Sequence, residues 1–239
     1  MSVDASAAIR KDDALAAKGG SEQDVREGAM EGVLVACGEL GFRETSVRSI
    51  LEYSGGHRAQ FYQHFESKED CFAQAYAAWI ERLCVSVLEA AATTPGWEGG
   101  VREAIVRLFQ FVTERPPIAR SLFVEVQIAG EPALARHEAA VERLAAAIDS
   151  ARADIDPAEA PPDATGVFVV GGIESCLTEA LTAGDPARVW DSLPELMHFA
   201  AGSYFGKEEA EGAFERTSEM LERERTRLMG VEAEEEEEK

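Results

Sequence analysis

Residues 57–64 bring together side chains that can contact nucleic acid. The guanidinium of Arg58 can bond the major-groove edge of guanine, and the amide of Gln60 can bond that of adenine. His57, when protonated, can donate to a phosphate or a base. Arg58 and Gln60 are therefore candidates for base contacts, the alternative being that both lie on a solvated helix face. Either interpretation depends on the elements that position this segment.

The residues around this segment predict a helix-turn-helix. Apolar residues repeat at helical spacing from Val25 to Leu40, and a second helix is predicted to begin at Thr45 as its N-cap. Gly55-Gly56 then supplies a tight turn, and a third helix covers Arg58 to Phe65. Ser67 is a candidate N-cap for a long fourth helix. Such a unit places one helix in the DNA major groove.

The stretch Arg26–Phe72 resembles, without gaps, the N-terminal domain of TetR-family transcriptional regulators. The matching positions are Arg26, Gly41-Phe42, Thr45-Ser46-Val47, Ile50, Gly55, Phe61-Tyr62-Gln63-His64-Phe65 and Ser67-Lys68-Glu69. Four positions depart from the family pattern: Gly56 stands where Val or Ile is usual, His57 where Ser or Thr is usual, and Leu51 and Ser54 where Ala is usual. These departures predict a looser turn than in most members of the family.

The resemblance implies contacts to DNA phosphates on both sides of the base-contacting residues. Tyr62 and His64 would face the DNA backbone, whereas Phe61 and Phe65 would belong to the core. The N-terminus of the second helix would meet a phosphate, and Lys68 would do so through its side chain or its backbone N–H. The predicted DNA-binding residues are Thr45, Ser46, Arg48, His57, Arg58, Gln60, Tyr62, His64 and Lys68.

The rest of the chain is also predicted to be helical, so the expected fold class is all-α. After the fourth helix, which could run to about Ala92, the predicted helices are Trp97–Glu114, Ile118–Ala129, Pro132 to about Asp154, Thr165–Ala183, Pro186–Gly206 and Lys207–Met229. Thr165–Ala183 is apolar almost all round and must be covered on several sides. A twofold dimer with a second copy would cover it, and so would a central position within one subunit.

The resemblance also implies a role for this second part. Residues 71–230 would form a larger helical ligand-binding and dimerisation domain, with helices 164–183 and 186–205 at the homodimer contact. A small-molecule effector would shift the fourth helix and release the protein, a repressor, from a palindromic DNA operator. The candidate ligand contacts are Trp79, Trp97, Phe109, Phe123, Gln127, Phe168 and Glu174. They suit a largely apolar ligand with one polar group.

Charge limits how this protein can bind DNA. The chain has 23 basic and 45 acidic residues, a net charge of −22, and residues 21–70 alone hold five basic and ten acidic ones. Non-specific affinity for DNA is therefore expected to be low, and binding must depend on a few placed contacts. The two ends are predicted to be flexible, with residues 1–20 as a polar arm and residues 231–239 as an acidic disordered tail.

Other functional classes find little support in the sequence. The four cysteines form no CxxC pair and the four histidines lack metal-ligand spacing, which indicates reduced core cysteines and no metal site. The sequence contains no nucleophile elbow or glycine-rich phosphate loop, so neither an enzyme nor a cofactor is predicted. No apolar run approaches the ~18–20 residues of a membrane span, and a cytoplasmic protein is expected. The alternative function is a helical, dimeric interaction protein with a degenerate, non-DNA-binding helix-turn-helix.

Overall fold

The computed structural model describes residues 22–237, which form helices and no β-strand. The α-helices of this part are α1 Glu22–Leu40, α2 Val47–Ser54, α3 Arg58–His64, α4 Lys68–Thr93, α5 Trp97–Glu114, α6 Pro116–Phe123, α7 Glu131–Ile148, α8 Thr165–Ala183, α9 Leu193–Phe205 and α10 Lys207–Glu237. The 3-10 helices between them are Glu125–Ile128, Asp149–Asp154 and Pro186–Ser192. The predicted all-α class is confirmed, and the predicted arm at residues 1–20 lies outside the described residues.

Most helix ends coincide with the caps and breaks that the sequence supplies. The Ser67 hydroxyl caps α4 by accepting a hydrogen bond of 3.1 Å from the backbone N–H three residues on. Gly184 ends α8 in the left-handed conformation, with φ 73°. The helix predicted from Pro186 is a 3-10 helix that is followed by α9, with Pro194 in the first turn of α9. α10 continues to Glu237 and so enters the segment predicted as a disordered tail, where glutamates are good helix formers.

The first three helices form a small unit around an apolar centre. Ile50 of α2 and Phe61 of α3 are fully buried in the same core as Val33 of α1. Gly32 lets α2 approach α1 closely, because a Cβ at this position would lie 2.9 Å from Ser54 Cβ. The glycine weakens α1 as an isolated helix but permits the packing that fixes α2 and α3.

A close contact between α1 and α6 joins this unit to the rest of the protein. A Cβ at Gly38 would lie 1.9 Å from the carbonyl oxygen of Pro117, so the two backbones meet where a larger residue does not fit. In the same buried contact, the Ser121 hydroxyl donates to Leu34 O at 2.5 Å. The helix-turn-helix unit is therefore packed directly against the larger helical domain.

A buried carboxylate completes the junction. Glu125 is 5% exposed, and its Oε2 accepts a hydrogen bond of 2.8 Å from the backbone N–H of Phe42, in the turn between α1 and α2. Its Oε1 lies 3.3 Å from Nη2 of Arg120. Arg120 also donates from Nη1 to Leu181 O, in α8, at 3.1 Å. Glu125 and Arg120 thus connect the helix-turn-helix unit to α8.

α8 and α9 leave an apolar face uncovered in the single chain, where Phe168, Val167 and Phe199 are 64%, 45% and 48% exposed. α8 also corrects the prediction about membrane spans. This 19-residue helix is long and apolar enough to cross a membrane by length and composition alone. A core helix of a soluble protein passes the same test, and α8 packs against α6, α7 and α9.

Candidate nucleic-acid interface

The N-terminus of α2 is capped by Ser46 and not, as predicted, by Thr45. Ser46 Oγ accepts from the backbone N–H of Ser49 at 3.2 Å, and Ser49 Oγ accepts from that of Ser46 at 2.8 Å. Thr45 is buried, and its hydroxyl donates to Gly41 O at 2.8 Å. The Thr45 side chain therefore stabilises the preceding turn, while Ser46 is exposed at the helix N-terminus.

A glycine turn and two buried rings fix the orientation of α3. Gly55 ends α2 with φ 70°, a conformation that favours glycine. Phe61 and Phe65, at the centre and the end of α3, are 1% and 2% exposed, and their ring centroids lie 5.2 Å apart. A Cβ at Gly56 would meet Leu51 Cδ2 at 3.4 Å, an ordinary contact. The backbone of this turn thus requires glycine at the first position and accommodates a side-chain carbon at the second.

The outer face of α3 carries Arg58 and Tyr62. Both side chains are exposed, and Arg58 Cζ lies 5.6 Å from the centroid of the Tyr62 ring. Such a cation–π contact restrains the guanidinium without neutralising its charge. His64, in the last turn, is half-buried beside Phe65. The predicted base contact at Arg58 and the phosphate contact at Tyr62 therefore share one accessible surface.

Gln60 has an additional role at the start of α3. His57 is the N-cap residue, and its backbone N–H donates to Gln60 Oε1 at 3.3 Å. The glutamine amide therefore supports the helix end at which His57 replaces the usual capping hydroxyl. Gln60 can contact a base with its amide nitrogen while keeping this bond, or with both groups after giving it up. His57 itself is exposed next to Arg58.

Two side chains that were predicted to bind phosphates, those of Arg48 and Lys68, already contact other groups of the same chain. Arg48 Nε lies 3.0 Å from Glu52 Oε1, and both side chains are largely exposed. Lys68 Nζ donates to Phe42 O at 2.8 Å and lies 4.3 Å from the centroid of the Phe42 ring. Because the Lys68 side chain is only 16% exposed, its ammonium belongs to the packing of α4 against the turn between α1 and α2. The predicted phosphate contact of Lys68 is thereby left to its backbone N–H, in the first turn of α4.

Tyr53 is an exposed aromatic residue that the sequence analysis did not single out. It is 47% exposed and lies seven residues, about two turns, after Ser46 on α2. The sequence signal was an aromatic residue on the polar side of a short amphipathic helix. Its phenol adds a hydrogen-bonding group to the same side of α2 as the exposed cap.

The seven candidate ligand contacts lie on several different helices and have separate packing partners. Trp79 packs at a ring distance of 6.3 Å from Phe111, Trp97 donates from Nε1 to Ile148 O at 2.8 Å, and Phe109 lies 5.6 Å from Trp190. Phe123 is buried, whereas Gln127 and Phe168 are exposed. Most of these residues thus fill the core or face solvent, because their types alone did not determine which side of each helix they occupy.

Glu174, the seventh candidate, belongs to a row of polar groups between α4, α7 and α8. Its Oε1 lies 3.1 Å from Nε2 of His137, and His137 Nδ1 lies 2.9 Å from the hydroxyl of Tyr76. Burial raises the pKa of Tyr76 well above its usual range, so the phenol stays neutral and can donate or accept. The groups satisfy one another within the helical domain.

These features define a class: an all-helical protein with an N-terminal helix-turn-helix that exposes a recognition helix. Residues 37–75 match the model of bacterial regulatory proteins of the tetR family. This segment, from the end of α1 into α4, is therefore similar to the DNA-binding domain of that family, and the resemblance predicted from the sequence is confirmed. No curated protein matches the chain.

Solved structures of similar fold extend over most of the chain. A tetR-family transcriptional regulator from Streptomyces coelicolor is 19% identical, with a TM-score of 0.62 over 90% of this chain and 100% of that one. The fatty acid degradation regulator FadR from Bacillus halodurans is 13% identical, with a TM-score of 0.63 over 76% and 97%. FadR from Bacillus subtilis, solved in complex with stearoyl-CoA, is 12% identical, with a TM-score of 0.63 over 75% and 98%. At these identities the likeness concerns the fold.

Proposed function

We propose that the protein is a ligand-responsive transcriptional repressor that binds a palindromic DNA operator as a dimer in the cytoplasm. The observation that carries the proposal is the tetR-family helix-turn-helix with Arg58 and Tyr62 exposed on the outer face of α3. Arg58 contacts a guanine in the major groove, and Gln60 contacts an adjacent base. Ser46, Tyr62 and the N-terminus of α4 hold the backbone on either side.

Dimerisation through α8 and α9 follows from their uncovered apolar face. Phe168, Val167 and Phe199 lie on that face, and a Cβ at Gly171 would meet no atom within 4 Å. Pairing α8 and α9 with the same helices of a second copy would form a four-helix contact that removes these side chains from water. The dimer would place two recognition helices on successive major grooves, about 34–36 Å apart.

The effector is proposed to act through α4, which links the recognition unit to the ligand-binding domain. The FadR structure with stearoyl-CoA supports a small-molecule effector for a protein of this fold. Binding to the helical domain would move α4, alter the separation of the two α3 helices and release the operator.

Selection from a random duplex library at low salt tests the function directly. We expect enrichment of an inverted repeat, and Arg58→Ala should lower affinity about 10- to 100-fold and relax the preference at one base pair of each half-site. Arg225→Ala, which removes an exposed arginine of α10, is the matched control and should leave selection unchanged. Phe168→Asp should convert the dimer to a monomer on a sizing column and abolish high-affinity binding.

The second candidate is the interaction protein with a degenerate helix-turn-helix. It is favoured by the excess of acidic over basic residues at positions 21–70 and by the Lys68 side chain, which points into the protein. Under this hypothesis the dimer is intact, but no sequence is enriched even at low salt. That combination would reject the operator-binding proposal in favour of the alternative.

A further inference from the structure

A cleft of about 720 Å³ opens between α1, α4 and α7. Its volume lies within the range of small-molecule sites in proteins. Four arginines line it, namely Arg26, Arg82, Arg136 and Arg143, together with a single carboxylate, that of Glu81. In a chain with 45 acidic and 23 basic residues, this local excess of positive charge is the reverse of the overall composition.

The positive charge in the cleft is incompletely neutralised. Arg143 Nη1 pairs with Glu81 Oε2 at 2.5 Å on the exposed rim. Arg82 Cζ lies 5.9 Å from the ring centroid of Trp79, a contact that keeps its full charge. Arg136 is exposed and forms no ion pair with any residue from 22 to 237. Guanidinium groups with free donors are well suited to bind a carboxylate or a phosphate.

Apolar side chains make up the other part of the lining. Met30 of α1 and Ile80 of α4 line it and are each 7% exposed, and alanines at positions 77, 78, 139 and 140 line it as well. A small inorganic anion would leave this surface uncovered. An organic anion with an apolar portion would satisfy both the arginines and the apolar side chains.

We propose that this cleft is the effector site and binds an organic anion whose acidic group meets Arg82, Arg136 and Arg143 while its apolar portion covers Met30 and Ile80. This inference rests on the proposed function, for which it names the site and the ligand class. It replaces the seven residues predicted as ligand contacts, none of which lines this cleft.

Arg26 connects the cleft to the recognition helix. Its Nη2 donates to Gln74 Oε1 of α4 at 2.7 Å, and its Cζ lies 5.9 Å from the ring centroid of Phe65, at the end of α3. Gln74 Nε2 in turn donates to Asp70 Oδ1 at 2.9 Å, and Asp70 Oδ2 accepts from the backbone N–H of Glu66 at 3.0 Å. An anion in the cleft competes with Gln74 for Arg26 and so disturbs the contacts that hold α3 against α4.

Binding of the fluorescent anion 8-anilinonaphthalene-1-sulfonate to the full chain tests the site without DNA. We expect one site per chain, from which decanoate displaces the probe at least tenfold more effectively than decan-1-ol or inorganic phosphate. Arg136→Gln and Arg82→Gln should each weaken probe binding about tenfold, because each removes a charge-assisted contact. The matched control Arg225→Gln, on α10, should bind the probe as the wild type does.

Ala139→Trp fills the cleft at an exposed position without removing a charge, and it should also abolish binding. Equal binding by the wild type, Arg136→Gln and Ala139→Trp, with unchanged circular dichroism, would overturn the site, and so would equal displacement by decanoate and decan-1-ol. Arg58→Ala should bind the probe as the wild type does while its affinity for DNA falls. An enriched operator without probe binding would reject the cleft alone, whereas probe binding without any operator would reject the proposed function alone.

Discussion

Replacement of Glu125 tests whether one buried carboxylate holds the recognition unit against the helical domain. Its two oxygens have separate partners, the backbone N–H of Phe42 at 2.8 Å and the guanidinium of Arg120 at 3.3 Å. Glu125→Ala removes both contacts, while Glu125→Gln keeps an oxygen for Phe42 and loses the negative charge. The two variants therefore separate the hydrogen bond from the ion pair.

The expected losses follow from the burial of each partner. The Phe42 N–H is buried, and leaving it without an acceptor costs roughly 1–3 kcal/mol. The Arg120 side chain is 30% exposed and regains water, so loss of its ion pair costs no more than about 1 kcal/mol. We therefore expect Glu125→Ala to lower the free energy of unfolding by about 3 kcal/mol and Glu125→Gln by about 1 kcal/mol.

Urea unfolding followed by circular dichroism, at pH 7 and one fixed protein concentration, measures these losses. Gln127→Ala is the matched control, since Gln127 is exposed in the same 3-10 helix, and its effect should stay within about 0.5 kcal/mol. Equal losses for the alanine and glutamine variants would refute the reasoning, because the hydrogen bond to Phe42 would then contribute nothing measurable.

Two further predictions concern packing and pH. Gly38→Ala should destabilise the protein by about 2 kcal/mol or more in urea unfolding, because its Cβ would lie 1.9 Å from Pro117 O. Gly28→Ala is the control: its Cβ would lie 3.9 Å from the nearest atom, so this variant should stabilise the protein by up to about 1 kcal/mol. Similar values for the two variants would contradict the close approach of α1 and α6 at Gly38. Hydrogen bonds from Arg216 lower the pKa of Glu98 in the folded protein. The ionised carboxylate therefore stabilises the fold fully above its unfolded pKa of about 4.3. This stabilisation is lost as the pH falls through the lower pKa of the folded state. Glu98→Gln should thus cost about 1 kcal/mol at pH 7, with a gap to wild type that closes towards pH 3, and a gap constant with pH would exclude the carboxylate as its cause.

The helices were predictable because their limits are encoded by nearby residues. Ser67 caps α4, Gly184 ends α8, and Gly55 provides the left-handed turn between α2 and α3. Phe61 and Phe65 were assigned to the core, where the structure places them. In each case the information lies within a few positions along the chain, which a sequence pattern can express.

The positions that sequence reasoning missed depend on distant partners. The sequence left open whether Lys68 would contact a phosphate through its side chain or its backbone N–H, because the carbonyl of Phe42, 26 residues earlier, accepts from its ammonium. Gly38 has a packing role that depends on Pro117, which is distant in the sequence. The arginine cleft joins residues from α1, α4 and α7, and no single stretch of sequence marks it. These pairings are decided by tertiary packing, about which local spacing carries little information.

The proposed DNA-binding face combines few free charges with preorganised side chains, and this combination bears on how it would bind an operator. Arg48 is paired with Glu52 and the Lys68 ammonium is turned inward, which leaves Arg58 as the exposed arginine of α3. With so few free cations on α2 and α3, a monomer would gain little of the sequence-independent affinity that counterion release provides. A dimer binds two half-sites at a fixed separation and so combines both sets of contacts. In the proposed dimer, a ligand that changes this separation would remove most of the affinity, so control by an effector would be effective in an acidic protein.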